Sequence, residues 1–289
     1  ILPAFCRVEA VATPAPDSVI NFEVWMPAAA AWTGRFQGVG NGGYSGAIGY
    51  GAMAEALNRG SGVPRPDMGH PGGEPEWGLG HPEKVIDWAY RAMHVTTEAA
   101  KLIVRNHLGR FPSYSYFVGC SSGGHQAMSE AQRFPDDYDG ILAGDPAFDR
   151  INQTFGYLAM WLATHDEAGK SLIPAAKLPL LTKAAVAACD ANDGLKDGLI
   201  DDPRQCQFDP RALQCPAAAA DSCLTKSEVD GARKVYAGLR SPSTGALIYP
   251  GWLPGSEAFG ESAGQSWRQM ILDPPRPMRV EALSYFVFQ

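Results

Sequence analysis

The residues best able to do chemistry stand in one short stretch, Gly119-Cys120-Ser121-Ser122-Gly123-Gly124-His125. A serine hydroxyl is a weak nucleophile until it stands clear of its backbone and meets a base. The spacing Gly-x-Ser-x-Gly supplies the first condition. With Gly119 and Gly123 lacking side chains, a strand and a helix can pass closely and leave Ser121 at the tip of a sharp turn. The flanks suit that reading, because Tyr116-Phe117-Val118 is strand-like and Gln126 to Phe134 is helix-compatible. The same pattern also suits a plain Gly/Ser turn without chemistry, and a chain with 32 glycines meets it by chance more easily than most.

Attack on a carbonyl also needs donors for the oxygen that gains charge. The strand-like Phe36-Gln37-Gly38-Val39 runs into Gly40-Asn41-Gly42-Gly43-Tyr44, upstream of the serine turn. Backbone amides of Ser122 and of Gly42 or Gly43 are therefore candidate oxyanion donors. Read alone, these glycines equally suit a flexible turn. A base and an acid should follow the serine, after later strands. Gly140 to Ala143 reads as the next short strand, but from Phe148 onward the periodicities are helical or loop-like. His125 lies one helical turn past Ser121, where capping, packing or substrate contact suits it better than the role of base. His165, His94 and His107 fall in helical segments, and His70 and His81 precede the serine. Asp145 follows the strand end and reads as a loop-orienting carboxylate rather than the catalytic acid.

The second chemical stretch is Cys189 to Asp202, which carries Asp190, Asp193, Asp197, Asp201 and Asp202 within one short loop. Carboxylates this close repel one another unless neutralised, and Gly194 and Gly198 allow the bends that would gather them around a cation. Oxygen donors point to calcium, although the register is not that of an EF-hand; a solvated acidic loop is the alternative. The six cysteines are Cys6, Cys120, Cys189, Cys206, Cys215 and Cys223, four of them in a 35-residue polar stretch. They suggest local disulfides and an oxidising compartment, secreted or periplasmic. Zinc fits poorly, since that stretch has no histidine.

These residues need elements to hold them. The early strand Val19 to Met26 ends at Pro27, a modest helix spans Ile48 to Leu57, and Ser61 to His81 reads as loop. From Pro82 to Leu108 a long helical pattern precedes the serine strand, the order of a βαβ crossover into a mostly parallel sheet. The fold class is thus α/β. With 289 residues, 45% of them apolar, the chain can form one large domain or a core with a second unit. A net charge of −7 without a basic block argues against nucleic acid or an anionic membrane surface as the main partner. No apolar run is long enough to span a bilayer, and the opening Ile1-Leu2-Pro3 reads as a mature or trimmed start.

Taken together, Ile20-Asn21-Phe22-Glu23-Val24-Trp25, Gly38 to Gly43, Asp67-Met68-Gly69-His70, Gly119-Cys120-Ser121, Gln132-Arg133-Phe134-Pro135 and Cys189 to Pro203 resemble the tannase/feruloyl esterase family, which includes mono(hydroxyethyl) terephthalate hydrolase-like enzymes. The resemblance spans essentially the whole chain. It implies an α/β-hydrolase core with a large inserted lid, residues 1–147 being the N-terminal part of the core and 148–289 an incomplete lid. It implies a serine ester hydrolase acting through an acyl-enzyme on feruloyl, galloyl or terephthalate monoester substrates. It also implies one structural calcium held by Asp190, Asp193, Asp197 and Asp201 with the carbonyls of Leu195 and Leu199, framed by Cys189–Cys206 and followed by Cys215–Cys223. In the family, the cysteine before the serine bridges to one beside the catalytic histidine. Cys120 matches its first half, so its partner, and the catalytic Asp and His, are expected outside these residues. Ending at the apolar Tyr285 to Gln289, the chain reads as interrupted, and either a second polypeptide completes it or the sequence is incomplete. A non-catalytic, calcium-stabilised domain binding phenolic ligands is the competing expectation, and a redox role for Cys120 is disfavoured without a C-x-x-C partner.

Overall fold

Strands and helices alternate through the first half of the computed structural model, which describes residues 2–217, 221–260 and 266–288. The chain divides into two compact units, Ile1–Phe148 with Ser284–Gln289, and Asp149–Leu283. Residues 284–289, grouped with the second segment on sequence, cluster instead with the first unit.

The first unit is built on a six-stranded sheet in the order β1-β2-β4-β3-β5-β6. The strands are β1 (Phe5–Ala12), β2 (Ile20–Pro27), β3 (Arg35–Val39), β4 (Ser61–Pro66), β5 (Tyr114–Cys120) and β6 (Gly140–Gly144). Pairing is antiparallel along β1-β2-β4 and parallel along β4-β3-β5-β6, so the sheet is mixed where a mostly parallel one is expected. Two strands escape sequence reading. β1 is half-buried along its length and pairs with β2 in full register, from Phe5↔Pro27 to Ala12↔Ile20. The expected loop after Ser61 is corrected at its start, because Ser61–Pro66 is a buried central strand. Its prolines hide it: Pro64 and Pro66 oppose Val24 and Phe22 of β2, while pairing with β3 ends at Gly62. The missing N–H groups therefore fall beyond the parallel ladder.

Helix α1 (Tyr50–Asn58) closes one side, where Met53, Ala56 and Leu57 pack with Trp25, Val39 and Val63. The long helical pattern folds as α2 (Pro82–Ile86), a π-helical turn over Asp87–Arg91 and α3 (Ala92–Leu108), stopped by Gly109 at φ +80°. The fully buried Asp87 in that turn is held by Ser18 Oγ at 2.7 Å and Arg91 Nε at 2.6 Å, which ties the helix to the chain before β2. Strand β5 alternates strictly. Ser115, Phe117 and Gly119 are buried, while Tyr114, Tyr116, Val118 and Cys120 lie exposed on the opposite face.

The second unit packs α5 (Arg150–Thr164), α6 (Leu178–Cys189) and α7 (Lys226–Ala237) around Met160, Leu181, Leu224, Val235 and Trp267. A short ribbon, β7 (Leu239–Arg240) with β8 (Leu247–Tyr249), adds strands where sequence shows only helix and loop. Lys177 Nζ reaches both carboxylate oxygens of Glu228 in a buried pair, at 3.0 and 2.9 Å. Disulfides join Cys189 to Cys206 and Cys215 to Cys223. No described helix is long and apolar enough to cross a membrane.

Candidate active site

β5 ends at Cys120 and α4 (Ser122–Arg133) begins two residues later, which leaves Ser121 alone in the turn at φ +60°, ψ −114°. That conformation costs a residue with a side chain on the order of 1–3 kcal/mol and persists only if its surroundings over-determine it. Here they do. The Ser121 N–H donates to the Gly144 carbonyl at 3.0 Å, and its carbonyl accepts from the amides of His125 at 3.0 Å and Ala147 at 3.2 Å.

Glycines make the crossing possible. A Cβ on Gly119 would lie 2.2 Å from the Gly123 oxygen, one on Gly40 2.5 Å from the Gly123 Cα, and one on Gly124 2.4 Å from the Gly144 oxygen. Strand, helix and glycine loop thus touch backbone to backbone, with no room for side chains between them. Gly119 and Gly123 are legible in the serine motif, whereas Gly40 and Gly124 acquire their meaning only from this contact.

The glycine loop after β3 is pinned to the same helix. Asn41 donates its amide to Gln126 Oε1 at 2.9 Å, Ser122 Oγ donates to the Gly43 carbonyl at 2.8 Å, and the Gly40 N–H reaches Val118 O at 3.0 Å. Ser45 N–H closes the turn onto Gly42 O at 3.1 Å, with Gly43 at φ +56°. Among the described residues, the amides of Gly42 and Gly43 donate no hydrogen bond, and open space surrounds both Cα atoms. Ser122 is the first residue of α4, so its amide points from the positive end of the helix. The three sequence-chosen oxyanion residues therefore share one corner beside Ser121. Gln126 and the Ser122 side chain, which hold that corner, were not legible; the helical spacing of Ser122 and Gln126 was their only signal.

The histidines lie elsewhere or serve other contacts. His125 meets Trp88 edge-on, with ring centres 5.5 Å apart. His70 is buried and stacks on Trp77 at 3.8 Å, and burial pushes its pKa down to about 4. His81 pairs with Asp17 and His94 with Asp137, each at 2.7 Å. His165 stacks on Trp161 in the second unit, and His107 occupies the last turn of α3. Among the described residues the Ser121 hydroxyl makes no hydrogen bond. Cys120 is a free, exposed thiol, and Cys6 is also unpaired.

In the acidic loop the carboxylates organise backbone. Asp190 Oδ1 accepts from the amides of Asp197 at 3.2 Å and Gly198 at 3.0 Å, Asp193 Oδ1 from Leu195 at 2.8 Å, and Asp197 Oδ1 from Leu199 at 3.1 Å. The donor chemistry, all hard oxygen on residues that are exposed except for the half-buried Asp190, fits a calcium-like dication. Among the described residues no three His, Cys, Asp or Glu side chains converge as a metal-holding group. Asp202, outside the expected ligand set, is claimed by the Arg204 guanidinium, whose hydrogen bonds hold its carboxyl well below the usual range.

Fold and corner together define an α/β protein with a strand–serine–helix elbow beside a glycine loop. The sequence profile of tannase and feruloyl esterase matches residues 6–289, and the chain belongs to that family. It is 41% identical over 275 residues to an uncharacterized esterase of Xanthomonas campestris, covering 93% of this chain and 46% of that one. It is 35% identical over 263 residues to a probable feruloyl esterase B-1 of Aspergillus oryzae, covering 90% and 48%. The crystal structure of feruloyl esterase B from Aspergillus oryzae superposes with a TM-score of 0.88 at 32% identity, covering 98% of this chain and 55% of that one. Tannin acyl hydrolase from Aspergillus niger, at 21% identity and a TM-score of 0.71, shares the fold. The chain spans about half the length of the curated relatives it matches. Each of those carries the matched half and the remainder in one sequence, so they give no support to a separate second polypeptide.

Proposed function

We propose that this chain carries the nucleophile and oxyanion site of a serine carboxylic-ester hydrolase acting on esters of aromatic acids. The observation that carries the reading is Ser121 itself, a non-glycine residue at φ +60° clamped through both of its backbone polar groups beside a glycine loop. The family and the names of the relatives support hydrolysis of aromatic-acid esters; within that class the reading takes feruloyl, galloyl and terephthalate monoester types as the substrate range.

Ser121 Oγ attacks the ester carbonyl, and the amides of Ser122 and of Gly42 or Gly43 hold the oxygen as it gains charge. A histidine oriented by an aspartate takes the serine proton and returns it to the leaving alcohol; water then releases the acyl group. We assign that pair to the half of the relatives' length that this chain does not span. The open face of β5 and β6, with Tyr114, Tyr116, Val118 and Leu142 exposed, supports the assignment, because strands of a parallel sheet are normally covered on both faces. Residues 149–283 serve in this reading as the lid, and Cys120 pairs with a cysteine near the missing histidine.

Asp190, Asp193, Asp197 and Asp201, with the Leu195 and Leu199 carbonyls, would hold a structural calcium, which neutralises the loop when bound. The two disulfides support an oxidising compartment, secreted or periplasmic. The test is Ser121→Ala in the full-length protein, assayed on methyl ferulate with circular dichroism as the control for folding. Turnover should fall at least about a thousandfold with the fold intact; turnover near wild type would remove Ser121 from the nucleophile's role.

A further inference from the structure

The segment that clamps Ser121 contains a second strained residue. Asp145 directly follows β6 at φ +42°, in the left-handed region that a side chain rarely adopts. Its neighbours fix its place. Gly144 accepts the Ser121 N–H and Ala147 donates to the Ser121 carbonyl, so Asp145 lies in the short link between two hydrogen bonds to the nucleophile's own backbone. The register Cys120↔Gly144 sets the two strand ends side by side. The carboxylate is exposed, and among the described residues it has neither a hydrogen bond nor an ion pair. Phe148, three residues on, is 73% exposed. Aspartate is among the few side-chain residues that visit this region, so the strain alone assigns it no role; its place beside Ser121 and its exposed acceptor without a partner are what point to one.

We propose that Asp145 is a specificity-determining residue, whose carboxylate accepts a hydrogen bond from a phenolic hydroxyl on the substrate's acyl group and repels acyl groups that carry their own negative charge. Phe148 supplies an aromatic face for the same ring. This rests on the ester-hydrolase reading and narrows it, favouring hydroxylated aromatic acids of the feruloyl or galloyl kind over terephthalate monoesters. The chemistry is simple. A phenol offers one donor to an acceptor without a partner, and two like charges a few ångströms apart at a half-solvated site repel by enough to shift a specificity constant severalfold.

The experiment compares kcat/KM for methyl ferulate and for monomethyl terephthalate in the full-length protein, Asp145→Asn and Asp145→Gly. The ferulate-to-terephthalate ratio should fall about tenfold in both variants. The glycine variant relaxes the left-handed backbone and keeps the test valid if asparagine disturbs folding. A ratio within about twofold of wild type in a folded variant overturns the proposal. A wild-type protein that hydrolyses neither ester would instead count against the ester-hydrolase reading, and a wild type that prefers monomethyl terephthalate would overturn the assignment to Asp145 alone.

Discussion

The serine elbow and the acidic loop are both short, glycine-containing turns rich in polar chemistry, yet they are held by opposite means. At the elbow, Gly119, Gly123, Gly124 and Gly40 bring three backbones into contact, and Ser121 is strained but clamped on both sides. In the loop from Asp190 to Asp202, the residues are mostly exposed and order comes from the Cys189–Cys206 bridge and from carboxylates that accept their neighbours' amides. A geometry set by packing is complete within the chain that packs. A loop ordered by one bridge and by carboxylates bonded to nearby amides stays open to charge from outside.

If the elbow is a finished frame with its chemistry on one side chain, then Ser121→Ala should lower turnover at least about a thousandfold without unfolding the protein. A stability loss comparable with that of a core mutation would instead make Ser121 part of the frame. Packing itself is tested by Gly119→Ala, whose Cβ would fall on the Gly123 carbonyl. It should cost about 2–4 kcal/mol in a denaturant titration, and a cost below about 0.5 kcal/mol would show that the crossing is loose. Gly194→Ala gives the contrast, since open space surrounds that residue and only its φ of +94° resists the change; a cost of about 1 kcal/mol is expected.

The loop should respond to what the elbow ignores. Removing divalent metal with a chelator should lower Tm by about 5–10 °C if calcium neutralises the carboxylates, with restoration on adding calcium back. An unchanged Tm would leave a loop held by its disulfide and turns alone. Acid gives the smallest effect and acts on the first unit. Burial lowers the pKa of His70 from 6.5 to about 4, so the unfolded chain takes up a proton there that the folded chain refuses. Stability from this residue is therefore complete above about pH 6.5 and lost as pH falls toward 4. His70→Phe, which preserves an aromatic face against Trp77, should shrink the fall in Tm between pH 7.5 and 5; an unchanged fall would place the acid sensitivity elsewhere.

The same contrast separates what was legible in the sequence from what was not. Ser121 and its flanking glycines could be read because the turn's demand for small residues is local and falls at fixed spacing. Gly42 and Gly43 could be singled out as candidate donors because a glycine run follows a strand. Gln126, which holds Asn41 at a sequence distance of 85 residues, left no local trace beyond its helical spacing from Ser122. β4 was hidden by Pro64 and Pro66, whose usual meaning is loop, and the tertiary context overrode it. The aspartates of the acidic loop could be named as candidate donors, but the backbone amides that Asp190, Asp193 and Asp197 hold could not, because those bonds depend on how the loop turns.

Trapping the nucleophile tests the central claim most directly. The full-length protein would be treated with an aryl fluorophosphonate, which phosphonylates activated serines, and the modified residue located by peptide fragmentation able to tell Ser121 from Ser122. Stoichiometric modification of Ser121, loss of ester hydrolysis in step with it, and no modification in Ser121→Ala is the predicted result. Modification of another residue in step with inactivation, or undiminished hydrolysis by protein fully modified at Ser121, would contradict the account.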